Sequence, residues 1–229
     1  MSKKCNTQIT PIFLVLACFF VTSLLVSNII AGKLITLLGI TLPAAVILFP
    51  VTYIFGDILT EVYGFKRTLL VIWTGFGANL FMALVFMVTI ALPYPEFWAG
   101  QPAYVAVLGF TPRVVTASLV GYFLGEFSNS IVLSCLKVKT QGRNLWLRTL
   151  ASTVVGEGID TVIFIAIAFG GVIFLETLAR MMLAQYLWKV AYEVLLTPLT
   201  YLVVNWVKRK EGLDIYDTKV KYNPFSLQV

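Results

Sequence analysis

The sequence predicts an all-α, polytopic membrane protein with six transmembrane helices. Of its 229 residues, 59% are hydrophobic and 12% are charged, and the mean hydropathy of +0.90 is far above that of a water-soluble domain. The apolar residues fall into six runs, each near or above the roughly 20 residues that a helix needs to cross a bilayer. Basic residues then collect on alternate connections: Lys3 and Lys4; Lys66 and Arg67; Lys137, Lys139, Arg143 and Arg148; Lys208, Arg209, Lys210, Lys219 and Lys221. Only Lys33, Arg113, Arg180 and Lys189 are left for the other side or the interior. The positive-inside rule then predicts both termini in the cytoplasm. The net charge of +6 is therefore read as topology rather than as a nucleic-acid footprint.

Residues 1–11 are expected to form a cytoplasmic tail, 12–207 the helical domain and 208–229 a second basic, poorly ordered tail. The first run, about Ile12 to Leu34, follows Lys3 and Lys4 as a signal peptide would, but no small-residue cleavage site follows, so a retained span is expected. It ends in the polar patch Ser27-Asn28-Ile29-Ile30-Ala31-Gly32-Lys33. The second run, about Pro43 to Tyr63, contains Gly56-Asp57-Ile58-Leu59-Thr60-Glu61 and stops at Gly64; the third covers about Thr68 to Leu92. A loop from Pro93 to Thr111, rich in proline and aromatics, suits the membrane interface. The fourth and fifth runs are about Pro112 to Leu136 and Arg148 to Phe174. The sixth, about Arg180 to Val207, is long enough to tilt or to kink at Pro198.

One motif occurs twice, in the middle of runs four and five: Gly125-Glu126-Phe127-Ser128-Asn129-Ser130 and Gly156-Glu157-Gly158-Ile159-Asp160-Thr161. In a helix the Glu and the Asn or Asp share one face. Arg113 precedes Ala117-Ser118 as Arg148 precedes Ala151-Ser152, so the likeness is that of a divergent, or convergent, internal repeat. Charged groups at mid-membrane cost roughly 2.5–3.5 kcal/mol each on insertion scales and as a rule face a bundle interior or a wet cavity. Six carboxylates fall within the runs: Asp57, Glu61, Glu126, Glu157, Asp160 and Glu193. They require cations, protons, water or a ligand.

Glu126, Asn129, Glu157 and Asp160 are central and have no basic neighbour in their own helix, which marks them as a site; a hydrogen-bonded clamp between helices is the structural alternative. Asp57 and Glu61 serve equally well as a capping and orientation signal beside Lys66 and Arg67. Lys189 and Glu193, four apart, are expected to pair with each other. Lys33 and Arg113 are placed to snorkel or to bridge a carboxylate. Carboxylates and a side-chain amide offer many acceptors and few donors, which suits a ligand rich in N–H groups, and an aromatic such as Phe127 is placed to stack on a flat heterocycle.

Histidine is absent, so His-Glu-x-x-His and Ser-His-Asp chemistry is excluded, and no P-loop is present. The cysteines Cys5, Cys18 and Cys135 have no metal or disulfide spacing. No enzyme activity and no cofactor are expected.

Ser27-Asn28-Ile29 with Lys33, the stretch Gly56-Asp57-Ile58-Leu59-Thr60-Glu61-Val62-Tyr63-Gly64, Arg113 with Ala117-Ser118, and the two Gly-Glu motifs together resemble the queuosine precursor transporter family, also described as vitamin-uptake-transporter-like membrane proteins. The resemblance covers nearly the whole chain. It implies a six-helix inner-membrane importer of 7-cyano-7-deazaguanine and its 7-aminomethyl analogue. In that reading Glu126, Asn129, Glu157 and Asp160 hold the ring's N–H edge, with Ser118, Ser152, Thr161, Asn28 and Phe127 as further contacts. Lys33, Asp57, Glu61, Arg113, Lys189 and Glu193 gate or pair. Alternating access, and a homodimer in the bilayer, are expected. The alternative is a substrate-binding membrane subunit served by a separate energising module.

Overall fold

The computed structural model describes residues 9–31, 33–37, 40–109, 112–171, 174–218, 220 and 222–225, with the backbone alone described at 34, 37, 40–43 and 112–115. Six helices are long and apolar enough to cross a membrane, as the six runs predict. Helix α1 (Pro11–Ile30) starts on Thr10, whose hydroxyl accepts from Phe13 N at 3.2 Å, with proline at the first turn where no amide partner is missed. Its buried face repeats at helical spacing through Phe13, Leu16, Phe20, Ser23, Leu24 and Ser27.

The first departure from expectation follows at once. Run one ends at Ile30 rather than Leu34, and strands β1 (Leu34–Leu37) and β2 (Ile40–Pro43) form an antiparallel hairpin in register Leu34↔Pro43 to Leu37↔Ile40. The cause is local: Ile35, Thr36, Ile40 and Thr41 are β-branched and suit a pleat better than a helix. Ala44 N donates to Lys33 O at 2.7 Å and closes the hairpin base. A 3-10 turn (Ala44–Ile47) feeds α2 (Phe49–Tyr63), the central helix, in which 12 of 15 residues are buried.

Gly64, at φ +82, takes the left-handed conformation that separates α2 from α3 (Phe65–Ala91). Residues 93–111, read as a loop, contain a short helix α4 (Gln101–Leu108). Helices α5 (Pro112–Lys139), α6 (Leu145–Phe169) and α7 (Leu175–Glu211) complete the bundle. At 1.5 Å per residue α7 is about 55 Å long, well beyond a hydrocarbon core of roughly 30 Å.

Helices α5 and α6 meet at the glycines of the duplicated motif. A Cβ added to Gly125 would lie 2.8 Å from Asp160 Cβ and 2.9 Å from Gly156 O; one added to Gly156 would lie 2.7 Å from Asn129 Cβ and 2.9 Å from Gly125 O. Each motif's glycine thus receives the Asn or Asp that stands four residues after the other's. Small residues let the backbones touch, which is how helices associate in lipid.

The end of the bundle opposite the hairpin is basic and is tied together around Glu61. Its Oε1 meets Arg148 Nη2 at 2.7 Å and Lys208 Nζ at 2.6 Å, with Lys137 Nζ at 3.7 Å. The segment after α7 is packed, where its polar composition predicted a loose tail. Asp214 bridges Lys137 (2.6 Å) and Lys208 (3.0 Å). Asp217 Oδ2 accepts from Phe65 N at 2.8 Å and so caps α3, and Trp73 Nε1 donates to Pro224 O at 2.6 Å. Burial opposes the charged form of Asp214, yet the hydrogen bonds from Lys137 and Lys208 hold its pKa below the usual carboxylate value.

Two outcomes follow from these contacts. Gly156→Ala forces α5 and α6 apart and destabilises the protein by about 1–3 kcal/mol as overpacking does, which lowers the thermal midpoint of the detergent-solubilised protein. Gly77→Ala, at a position with nothing within 4 Å, does not. Because the Asp214 pKa is depressed, its contribution is present above the ordinary carboxylate range and lost as pH falls through the folded value. The gap in melting temperature between the parent and Asp214→Asn, full at neutral pH, therefore closes below about pH 4.

Candidate functional site

Between the hairpin end and the Glu61 cluster, four helices turn polar side chains inward. Helix α2 brings Tyr53 and Asp57, α5 brings Ser118, Tyr122, Glu126 and Asn129, α6 brings Glu157 and Asp160, and α7 brings Lys189 and Glu193. Ten of the residues at this level share one arithmetic: Phe49, Tyr53 and Asp57; Ser118, Tyr122 and Glu126; Asp160 and Phe164; Gln185 and Lys189 are all four apart, so each set lies along one helix face.

Lys189 holds the second motif. Its Nζ lies 2.6 Å from Glu157 Oε2 and 2.6 Å from Asp160 Oδ2, and 4.5 Å from the centre of the Phe49 ring. This corrects the expected pairing of Lys189 with Glu193 along α7: the lysine reaches across to α6 instead, where two carboxylates outbid one. Asp57 Oδ1 accepts from Asn129 Nδ2 at 2.7 Å, joining α2 to the first motif. Glu126 and Glu193 are buried, and among the described residues none supplies a hydrogen bond to any of their four carboxylate oxygens.

A cavity of about 50 Å³ opens toward the hairpin side, walled by Asn28, Ser118, Asp160, Lys189, Gln185, Phe49 and Phe164 with Ala31, Ala45 and Val46. Ser118 Oγ donates to Asn28 Oδ1 at 2.7 Å across its floor. Such a space admits water but is well below the roughly 300–1,000 Å³ of typical ligand pockets. A heterocycle enters only if the helices part.

Of the residues read as a site from sequence, Asn28, Ser118 and Asp160 line this cavity together with Lys189, and Glu157 reaches it through Lys189. Glu126, Asn129, Asp57 and Glu193 are not part of its wall. Ser152 Oγ donates to Thr149 O of its own helix at 2.8 Å, and Thr161 is buried without a partner for its hydroxyl. Phe127 packs elsewhere, in an aromatic cluster with Phe65 (5.7 Å) and Phe123 (6.2 Å) that is continuous with Trp73, because the position after Glu126 turns about 100° from the site. Lys33 is exposed, Glu61 belongs to the basic end, and the Arg113 side chain lies outside the described residues. Tyr53, Phe49, Phe164 and Gln185 were missed, though Tyr53, Phe164 and Gln185 each stand four residues from a charged residue that was not, and Phe49 stands four from Tyr53.

Removing a partner from a buried ion pair costs about 3–5 kcal/mol, so Lys189→Met is expected to lower thermal stability on that scale. Combining it with Glu157→Gln and Asp160→Asn restores most of the loss, whereas combining it with Glu193→Gln does not; thermal denaturation of the four proteins checks this.

Comparison with known proteins bears on what this site is for. The sequence profile of the family described as "Putative vitamin uptake transporter" matches residues 43–203, which contain the 3-10 turn, all of α2 to α6 and most of α7. The "Probable queuosine precursor transporter" of Bacillus subtilis (strain 168) is 26% identical over 186 residues, 81% of each chain. The "Queuosine precursor transporter" of Escherichia coli (strain K12) is 29% identical over 143 residues, 62% of each chain. No solved structure matches significantly. Both relatives are named as transporters, and with the profile running from the hairpin to the Pro198 region, this multi-pass membrane protein belongs to the vitamin uptake transporter family.

Proposed function

We propose that the protein imports queuosine precursors, 7-cyano-7-deazaguanine or its 7-aminomethyl analogue, across the inner membrane by alternating access, with both termini in the cytoplasm. The observation that carries this reading is the shared name of the two relatives, each a queuosine precursor transporter, on a chain of the same family. The chemistry of the site supports it. Asp160 and Glu157 present carboxylate oxygens beside a cavity whose other polar groups are the Asn28 and Ser118 pair and Gln185. A deazaguanine offers an N1–H and a 2-amino group side by side, and one carboxylate accepts both. Phe49 and Phe164 supply flat apolar faces on which a bicyclic ring stacks.

Lys189 then has a definite part. Its ammonium holds both carboxylates, and the ligand's N–H groups take its place on one of them. The one ammonium pairs with both carboxylates of the second motif and offsets one of their two charges, at a depth where an unpaired charge is costly. Alternating access has a matching requirement at the other end: the Glu61 cluster with Arg148 and Lys208 closes the basic side and has to open for release.

Equilibrium binding of 7-cyano-7-deazaguanine, its aminomethyl analogue and guanine to the purified protein tests the reading. The two deazaguanines are expected to bind, and Asp160→Asn to weaken them roughly 10–100-fold, the loss of a hydrogen bond to a charged group. Absence of binding by either deazaguanine would overturn the substrate assignment.

A further inference from the structure

The cavity and its lysine leave a second polar group unexplained. Outside the cavity lining, Glu126 of α5, Asp57 of α2 and Glu193 of α7 lie within electrostatic range of one another: Glu193, Glu126 and Glu61 act on Asp57, Glu193, Glu157 and Asp160 act on Glu126, and Glu157 acts on Glu193. All three are essentially unexposed, at 0%, 0% and 1%. Among the described residues Asp57 has one donor, the Asn129 amide, while both oxygens of Glu126 and of Glu193 and the second oxygen of Asp57 have none. Lys189, the cation on this level among the described residues, is already held by Glu157 and Asp160.

The groups around Glu126 do not relieve it. From α2 come Tyr53 and Asp57, from α6 Glu157 and Asp160, from α7 Glu193, and Tyr122 stands one turn before it on α5. The hydroxyls of Tyr53 and Tyr122 are themselves buried and without partners, and Phe20 of α1 closes the wall. Nor is this a metal cradle: among the described residues no three acidic, His or Cys side chains converge at metal-ligand spacing, and a Cβ on Gly56 would land on Glu126 Oε1. Buried carboxylate oxygens with neither a cation nor a donor among the described residues are suited to carrying a proton.

We infer that Glu126, Glu193 and Asp57 form a proton-binding site, separate from the ligand cavity, through which transport is coupled to the proton gradient. A proton taken up at this site from the hairpin side is released toward the basic side in the same cycle that moves the ligand. Because Glu193 shares α7 with Lys189, and Glu126 shares α5 with Ser118, the helices that bind the ligand also carry the proton. The coupling half of this inference rests on the transport reading above; the proton site does not.

Two measurements test it. The first needs no ligand: infrared spectra of the purified protein at neutral pH are expected to show a carboxylic-acid C=O band that shifts in deuterated water and is diminished in Glu126→Gln and in Glu193→Gln. A parent spectrum without that band, or a band unchanged in both variants, overturns the site. The second uses proteoliposomes with labelled 7-cyano-7-deazaguanine. An acid-outside gradient is expected to drive accumulation that a protonophore abolishes, and Glu193→Gln to keep exchange of the compound while accumulation falls to the level set by exchange alone. Exchange by the parent that ignores the gradient overturns the coupling and leaves the deazaguanine reading intact. Absence of exchange beside a normal infrared band removes that substrate and upholds the proton site.

Discussion

A carboxylate in hydrocarbon has to be given a cation, a donor or a proton, and the interior of this bundle follows from how five of them are provided for. Asp57, Glu126, Glu157, Asp160 and Glu193 share one level with a single lysine among the described residues. Lys189 satisfies two by reaching from α7 to α6, and Asn129 satisfies part of a third by reaching from α5 to α2. These contacts tie four helices at the depth where each unpaired charge would be most costly. They also explain why α2 is so deeply buried: it carries Asp57 at this level and Glu61 at the next, and lipid can approach neither.

The close contact of α5 with α6 is the second condition. Since Gly125 receives Asp160 and Gly156 receives Asn129, the polar residue of each motif is seated on the glycine of the other. A larger residue at either glycine would push Asp160 off Lys189 or Asn129 off Asp57. The glycine and the carboxylate of the motif are therefore one device, with close packing placing the charge. The duplicated spelling in the sequence reflects reciprocal contacts in space, whatever the origin of the repeat.

Spans and motif were legible in the sequence because they depend on composition and helical spacing, which are local. The six runs became six helices, and Asp160 of the second motif together with Ser118 and Asn28 came to one cavity. What was not legible depends on partners distant in sequence. Lys189 is four residues from Glu193, and local spacing favours that pair, but tertiary packing offers it two carboxylates from α6 at 2.6 Å each. Glu61 stands beside Lys66 and Arg67 in the sequence and yet binds Arg148 and Lys208. Phe127 was placed at the site by its neighbour's identity, though adjacent residues on a helix face different ways. The hairpin was hidden because a short apolar run of β-branched residues reads equally well as the end of a helix. The tail's polar composition concealed its order, since Asp214 and Asp217 are fixed by groups on α3, α5 and α7 that no local pattern reveals.

Helix α7 connects these levels mechanically. Lys189 at the cavity, Glu193 in the acid cluster and Lys208 in the Glu61 cluster are on one helix, the first and last about 28 Å apart along its axis at 1.5 Å per residue. In the transport reading proposed above, a ligand that displaces Lys189 frees the hairpin-side part of α7 from its ion pairs with α6, while Lys208 still holds the other part to α2. Pro198 lies between them and interrupts the backbone hydrogen-bond ladder, so the two parts can bend relative to each other at little cost. In that reading a rigid α7 would transmit the displacement of Lys189 directly to Lys208 and open both ends of the bundle together, which alternating access forbids. Pro198 sets a flexible point between the cavity and the Glu61 cluster, so that in the proposed cycle the ends open in turn.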